Sequence, residues 1–244
     1  MDVGLLALLV GASVLFGAAT QRITGMGFAL VSSPALVLLL GAALAVPLIQ
    51  VVGIPLSLIV LISTFRDISW SKAVALGIPA LIGLVPGWLV ARAVSEPALR
   101  IIIGVMIIIA ILAMLADERA RVFKGAPGLI GAGFLSGFMH VMAGVGGPAV
   151  VLYKLSTNWL HREFVATIQV YFIGLSTGAI VALGWPNLSP VVWVAALVGL
   201  GVGLLIGQFL TRWIPVEVAS RLVIVVALAG AVATVAQGLL KLLA

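Results

Sequence analysis

Apolar residues run through this chain in long blocks, and polar residues gather in the gaps between them. Ile23 to Phe65 is 43 residues without a formal charge, and Phe164 to Thr211 is 48. One helical crossing of a bilayer takes roughly 20 residues, so each block holds two passes. Ala73–Ala91 and Leu222–Leu240, 19 residues each, read as one pass apiece. The pattern predicts spans at about 44–64, 72–92 and 98–116, then at about 164–183, 190–211 and 219–240.

Each set of three spans follows an apolar stretch interrupted by glycine. The first stretch ends near Thr20, breaks at Gln21-Arg22-Ile23-Thr24-Gly25-Met26-Gly27 and resumes to about Leu40, with Gly41 marking a turn. The second runs from Gly128 to Met142, breaks at Ala143-Gly-Val-Gly-Gly-Pro148 and resumes through Tyr153. These stretches are short for full crossings. They predict re-entrant hairpins or paired half-helices, with the irregular backbone buried in protein.

The two halves resemble each other. Val46–Leu58, VPLIQVVGIPLSL, and Val165–Thr177, VATIQVYFIGLST, are offset by about 119 residues and share seven of thirteen positions, among them Gln50/Gln169 and Ser57/Ser176. At the same offset Gly25 and Gly27 fall on Gly144 and Gly146. One residue further out, Gly83, Leu84, Gly87 and Arg92 fall on Gly203, Leu204, Gly207 and Arg212. Matched Gln and Arg are not a by-product of shared apolar composition. Duplicated halves with glycine-broken segments at matching places mark a secondary transporter.

The expected fold is an all-α integral membrane protein of about eight hydrophobic segments in two inverted repeats. Each repeat opens with a glycine-broken re-entrant hairpin and continues with three transmembrane helices. Residues 1–116 form the first repeat, 117–127 a cytoplasmic linker and 128–244 the second repeat, together one transporter domain. Glycines four apart, Gly83/Gly87, Gly133/Gly137 and Gly199/Gly203/Gly207, predict close helix packing.

Composition agrees. The chain is 64% hydrophobic and 8% charged, with mean hydropathy +1.36, so lipid must be its solvent. It has no cysteine, which excludes disulfides and thiolate metal sites. Neither a metal site nor a cofactor is expected from its two histidines. The Met1-Asp2 start lacks a basic region and reads as the first membrane element rather than a cleaved signal. The net charge of +6 lies in short loops, which is orientation charge and not a nucleic-acid surface. One face collects Arg66, Lys72, Arg119, Arg121, Lys124, Lys154, Arg162, Arg212 and Arg221, the other Arg92, Arg100 and Lys241. Nine against three assigns the first face to the cytoplasm of a cell-membrane protein, with both termini outside. Asp67, Glu96 and Glu217 fall at span ends and read as solvated loop charge.

The candidate chemistry is anion binding. Helix N-termini present free N–H groups and about half a positive charge. Inverted hairpins would bring two of them together near the midplane, at Thr24, Gly25 and Gly27 and at Gly144, Gly146 and Gly147. Arg22 would add a planar, five-donor cation if it lies at depth; the other reading has residues 3–21 cross fully and Arg22 snorkel at the surface. Gln50 and Gln169 would line the site, or else join helices. Ser57 and Ser176 lie seven residues on, on the same helical face. His140 falls opposite Gln21 in the repeat. It reads either as a proton carrier, which predicts anion affinity falling as pH rises through roughly 6–7, or as a neutral donor to a backbone carbonyl. No nucleotide fingerprint, HExxH or paired acids suggest an enzyme.

Gly17–Pro34, GAATQRITGMGFALVSSP, and Gly133–Tyr153, GFLSGFMHVMAGVGGPAVVLY, together with Gly83–Arg92 and Gly203–Arg212, resemble the sulfite exporter TauE/SafE family of membrane permeases. The resemblance covers essentially the whole chain. Half one has Phe28 where a third glycine is common, and half two has Tyr153 where the proline is common. The resemblance implies eight hydrophobic segments in inverted repeats and export, sometimes import, of small sulfur-containing anions such as sulfite, sulfoacetate or other organosulfonates. An anion-selective channel and a non-transporting subunit of a larger complex are the alternatives. The sequence leaves the oligomer open, a homodimer included.

Overall fold

The computed structural model describes residues 2–25, 27–116 and 123–243. Met26 of the first break, Arg119 and Arg121 of the charge count, and Asp117 to Val122 of the linker lie outside the described residues. Ten α-helices make up the described chain: α1 Val3–Thr24, α2 Phe28–Leu40, α3 Ala42–Thr64, α4 Trp70–Ala93, α5 Glu96–Ala116, α6 Gly125–Ala143, α7 Gly147–Thr157, α8 His161–Leu183, α9 Pro190–Leu210 and α10 Val216–Leu243. Eight are long and apolar enough to cross a membrane; α2 and α7 are not. The six predicted spans are found as α3–α5 and α8–α10.

The arms before the glycine breaks differ from expectation. α1 does not stop near Thr20 but continues through Gln21, Arg22 and Thr24 for 22 residues. That is about 33 Å at 1.5 Å per residue, enough for a full crossing. α6 has 19 residues, whereas α2 and α7 have 13 and 11. Each break therefore separates a long helix from a short one. What ends the long arm is backbone geometry. Gly25 (φ 87°) and Gly144 (φ 74°) are left-handed, and their N–H groups bond the carbonyls of Gln21 and His140. Only glycine adopts this conformation without strain. The next helices then start from Gly27 and Gly146 in matching right-handed geometry.

Helix pairing respects the repeat. The closest associations are α1 with α9, α4 with α6, α5 with α10, and α3 with α8. Exchanging equivalent helices turns the first pair into the second and each of the last two into itself. The glycine stripes explain the first two: a Cβ on Gly83 or Gly87 would strike the α6 backbone at Phe134 or Phe138, and one on Gly203 or Gly207 the α1 backbone at Leu15 or Ala19. Apolar burial cannot drive association in lipid, so close backbone approach must. α3, α6 and α8 are the most enclosed of the long helices.

Charged residues near the helix ends contact one another in two groups. Arg162 pairs with Asp67 at 2.6 Å, Lys72 with Glu163 at 3.0 Å, and Lys154 Nζ lies 3.1 Å from His161 Nδ1. These residues mark one face of the molecule. Arg92, Glu96 and Arg100 mark the other, beside Gly41 and Gly184. Arg100, at the start of a predicted span and counted with the face charges, is 4% exposed and held by Glu96 at 2.7 Å. The i,i+4 spacing on α5 and the packing of α10 over its stem draw it inward.

Candidate functional site

The starts of α2 and α7, the helices that follow the two glycine breaks, line one central cavity of about 50 Å³ between α3 and α8. The start of α2 contributes Phe28, Ala29 and Leu30, and the start of α7 contributes Gly146, Gly147 and Pro148. First-turn N–H groups have no intrahelical partner; that of Phe28 is taken by Gln21 Oε1 at 3.1 Å. Gln21, Gln50, Ser57, His140 and Ser176 add polar side chains, and Phe172 closes the cavity beside the imidazole, stacked at 5.6 Å. The lining contains no Asp, Glu, Lys or Arg.

The polar groups are held in a fixed network. Gln50 Nε2 donates to the His140 carbonyl at 2.8 Å, Ser176 Oγ donates to Gln50 Oε1 at 2.9 Å, and His140 Nε2 lies 3.1 Å from Ser176 Oγ. Ser136 Oγ donates to the Gly146 carbonyl at 2.7 Å, which braces the break from inside α6. Ser33 Oγ of α2 donates to the Ala143 carbonyl of α6 at 2.5 Å, linking the two halves of the chain. Gln50, His140 and Ser176 are all at least 95% buried.

Two further cavities flank the central one. The larger, about 460 Å³, opens by the Arg92 face and is lined by Ala42, Val46, Trp88, Arg92, Val141, Met142 and the end of α8. The smaller, about 170 Å³, lies by the Asp67 face and is lined by Gln21, Arg22, Thr24, Gly25, Ser63, Thr64, His161 and Val165. They occupy equivalent places. At the repeat offset of about 119, Ala42 falls on His161, Val46 on Val165, Arg22 on Val141, Ile23 on Met142, and Ser63 and Thr64 on Ala182 and Leu183.

Seven of the residues expected at the site thus line the central cavity together: Gln50, Ser57, His140, Gly144, Gly146, Gly147 and Ser176. Arg22, Thr24 and Gly25 line the smaller flanking cavity instead, and Gly27 and Gln169 line none of the three. Arg22 lies level with Thr64 and His161, half-exposed, its Nε 2.6 Å from Gln208 Oε1. Gln169 is fully buried and bonds the Val165 carbonyl of its own helix at 3.1 Å. Gln21 also lines the central cavity, and its alignment with His140 in the repeat is the sequence signal that points to it.

The model of the sulfite exporter TauE/SafE family matches residues 9–234, and the chain belongs to this family. In the comparisons with curated proteins and with solved structures, none matches the chain.

Proposed function

We propose that this protein exports a small sulfur-containing anion, such as sulfite, sulfoacetate or another organosulfonate, by alternating access between two inverted repeats. Family membership implies a membrane exporter of sulfite or a related anion. The observation that carries the reading further is the convergence of two helix N-termini on one small cavity that has five polar side chains and no fixed charge in its lining. Helix N-termini bind anions through N–H groups and the macrodipole, and breaks of this kind are substrate sites in transporters with inverted repeats. Gln50, Ser57, His140 and Ser176 supply neutral polar contacts. The flanking cavities, equivalent by repeat and unequal in volume, serve as the alternating vestibules. Arg22 acts in the vestibule by the Asp67 face, which the charge count assigns to the cytoplasm, and raises the local anion concentration there.

Purified protein in liposomes tests this. Efflux of sulfite or sulfoacetate is expected, accelerated by the same anion on the opposite side. Flux without such acceleration would indicate a channel, and no flux a non-transporting subunit.

A further inference from the structure

The two glycine breaks differ at one pair of equivalent positions. Gln21 and His140 stand seven residues before Phe28 and Gly147, the first residues of α2 and α7. Gln21 Oε1 accepts the Phe28 N–H at 3.1 Å, so α2 is capped from within the protein. His140 makes no such bond to α7. Its Nδ1 is buried and has no hydrogen-bond partner, and a Cβ added to Gly146 would lie 3.1 Å from it. Glycine at 146 leaves that nitrogen beside the start of α7, with Ser136 Oγ and the Ser136 carbonyl closer still to the same Cβ position, at 2.8 and 2.9 Å.

The surrounding network sets the tautomer. Gln50 donates from Nε2 to the His140 carbonyl, so its oxygen points to Ser176, whose single hydroxyl proton goes to that oxygen. At the 3.1 Å contact with His140 Nε2, the serine oxygen can only accept, and Nε2 carries the hydrogen. In a neutral imidazole Nδ1 is then a bare lone pair. Beside it stands the start of α7, whose first N–H groups are donors at the positive end of the helix.

We propose that this corner of the cavity selects an oxyanion carrying a hydrogen-bond donor on its central atom, a hydroxyl or an amino group. The α7 N-terminus takes an oxygen, and His140 Nδ1 takes the donated hydrogen. This rests on the anion-site reading above and narrows its substrate class, favouring oxyanions of the hydrogen sulfite kind over sulfonates capped by carbon. An unpartnered buried acceptor is costly. A bound donor removes that cost and a methyl group preserves it.

Sulfamate and methanesulfonate isolate the effect. Each bears one negative charge and three oxygens on sulfur, they are close in shape, and neither changes charge near neutral pH. They differ in NH2 against CH3. Calorimetric titration of the purified wild-type protein should show sulfamate binding about tenfold more tightly, the scale of one hydrogen bond. In His140→Gln, which keeps a donor toward Ser176 but has no lone pair at the Nδ1 position, the two should bind alike. Equal affinities in wild type would overturn the inference, as would a preference that survives in His140→Gln. The wild-type comparison decides even if the variant fails to insert. Binding of neither anion removes the central anion site, and this inference with it; equal binding of both leaves that site standing and removes this inference alone.

Discussion

Gln50 and Ser176 are hydrogen-bonded at 2.9 Å, whereas their repeat mates Gln169 and Ser57 are not. Gln169 turns to the Val165 carbonyl, and its side-chain oxygen is buried without a partner. Only one of the two Gln–Ser pairs that the repeated sequence supplies thus joins α3 to α8. An alternating carrier would exchange one bond for the other as its vestibules exchange roles.

The absence of cysteine makes this measurable. With Ala43→Cys reporting the larger flanking cavity and Ser63→Cys the smaller, Ser176→Ala is expected to slow thiol labelling at 43 and speed it at 63. Ser57→Ala should do neither. Unchanged rates in Ser176→Ala would mean that the bond carries no conformational weight.

Gln50 and Gln169 should now behave differently. Gln50→Ala strands the Ser176 hydroxyl and opens the cavity wall, so anion binding should weaken by about 1.5–3 kcal/mol, roughly ten- to a hundredfold in Kd. Gln169→Ala removes a buried orphan oxygen outside the cavity and should change Kd little. Similar losses in both variants, measured by titration, would contradict the placement of the two amides.

Arg22 is expected to govern entry rather than binding. Arg22→Gln should lower transport kcat/KM several-fold at low salt, with the difference shrinking as ionic strength rises, since screening shortens the reach of an exposed charge. Arg22→Lys should retain most activity. Complete loss of binding in Arg22→Gln would return this residue to the central site.

Orientation follows from loop charge. A reporter active only in the cytoplasm should give signal when inserted at Gly125 and none when fused after Leu243. The reverse result would invert the direction assigned to each vestibule.

The pH profile addresses the two roles read for His140. The cavity lining holds no acid or other cation to engage it, only Gln21, Gln50, Ser57 and Ser176 among polar side chains. As a neutral hydrogen-bonding group it should leave methanesulfonate affinity nearly constant between roughly pH 6 and 8. Affinity that falls as pH rises through roughly 6–7, and stays flat in His140→Gln, would instead establish a proton on the ring.

Much of the architecture was readable because its causes are local. Gly25 and Gly144 are needed for left-handed backbone, and the glycine stripes for contact between helices, so both appear as residue types at regular spacing. Gln50, Ser176 and His140 stood out because polar groups in lipid need a reason. Depth and partnership were not readable. Whether Arg22 lies at midplane or at a face depends on how far α1 continues before Gly25, and no polar signal separates Thr20 from Thr24. Arg100 counts as a face charge until α10 covers it. The difference between Gln50 and Gln169 belongs to one conformation, and a repeated sequence encodes both members of the pair equally.

The uncharged lining of the central cavity has an electrical consequence for the proposed carrier. With no side chain of fixed charge there, the empty site carries nothing across the field when it reorients, and the loaded site carries the anion's whole charge. At about 2.3 kcal/mol per elementary charge per 100 mV, membrane voltage then acts on the loaded step alone. An inside-negative potential hastens the outward passage of the filled cavity and leaves the return of the vacant one untouched. Direction is thereby imposed by the cargo, and the protein needs no gating charge of its own.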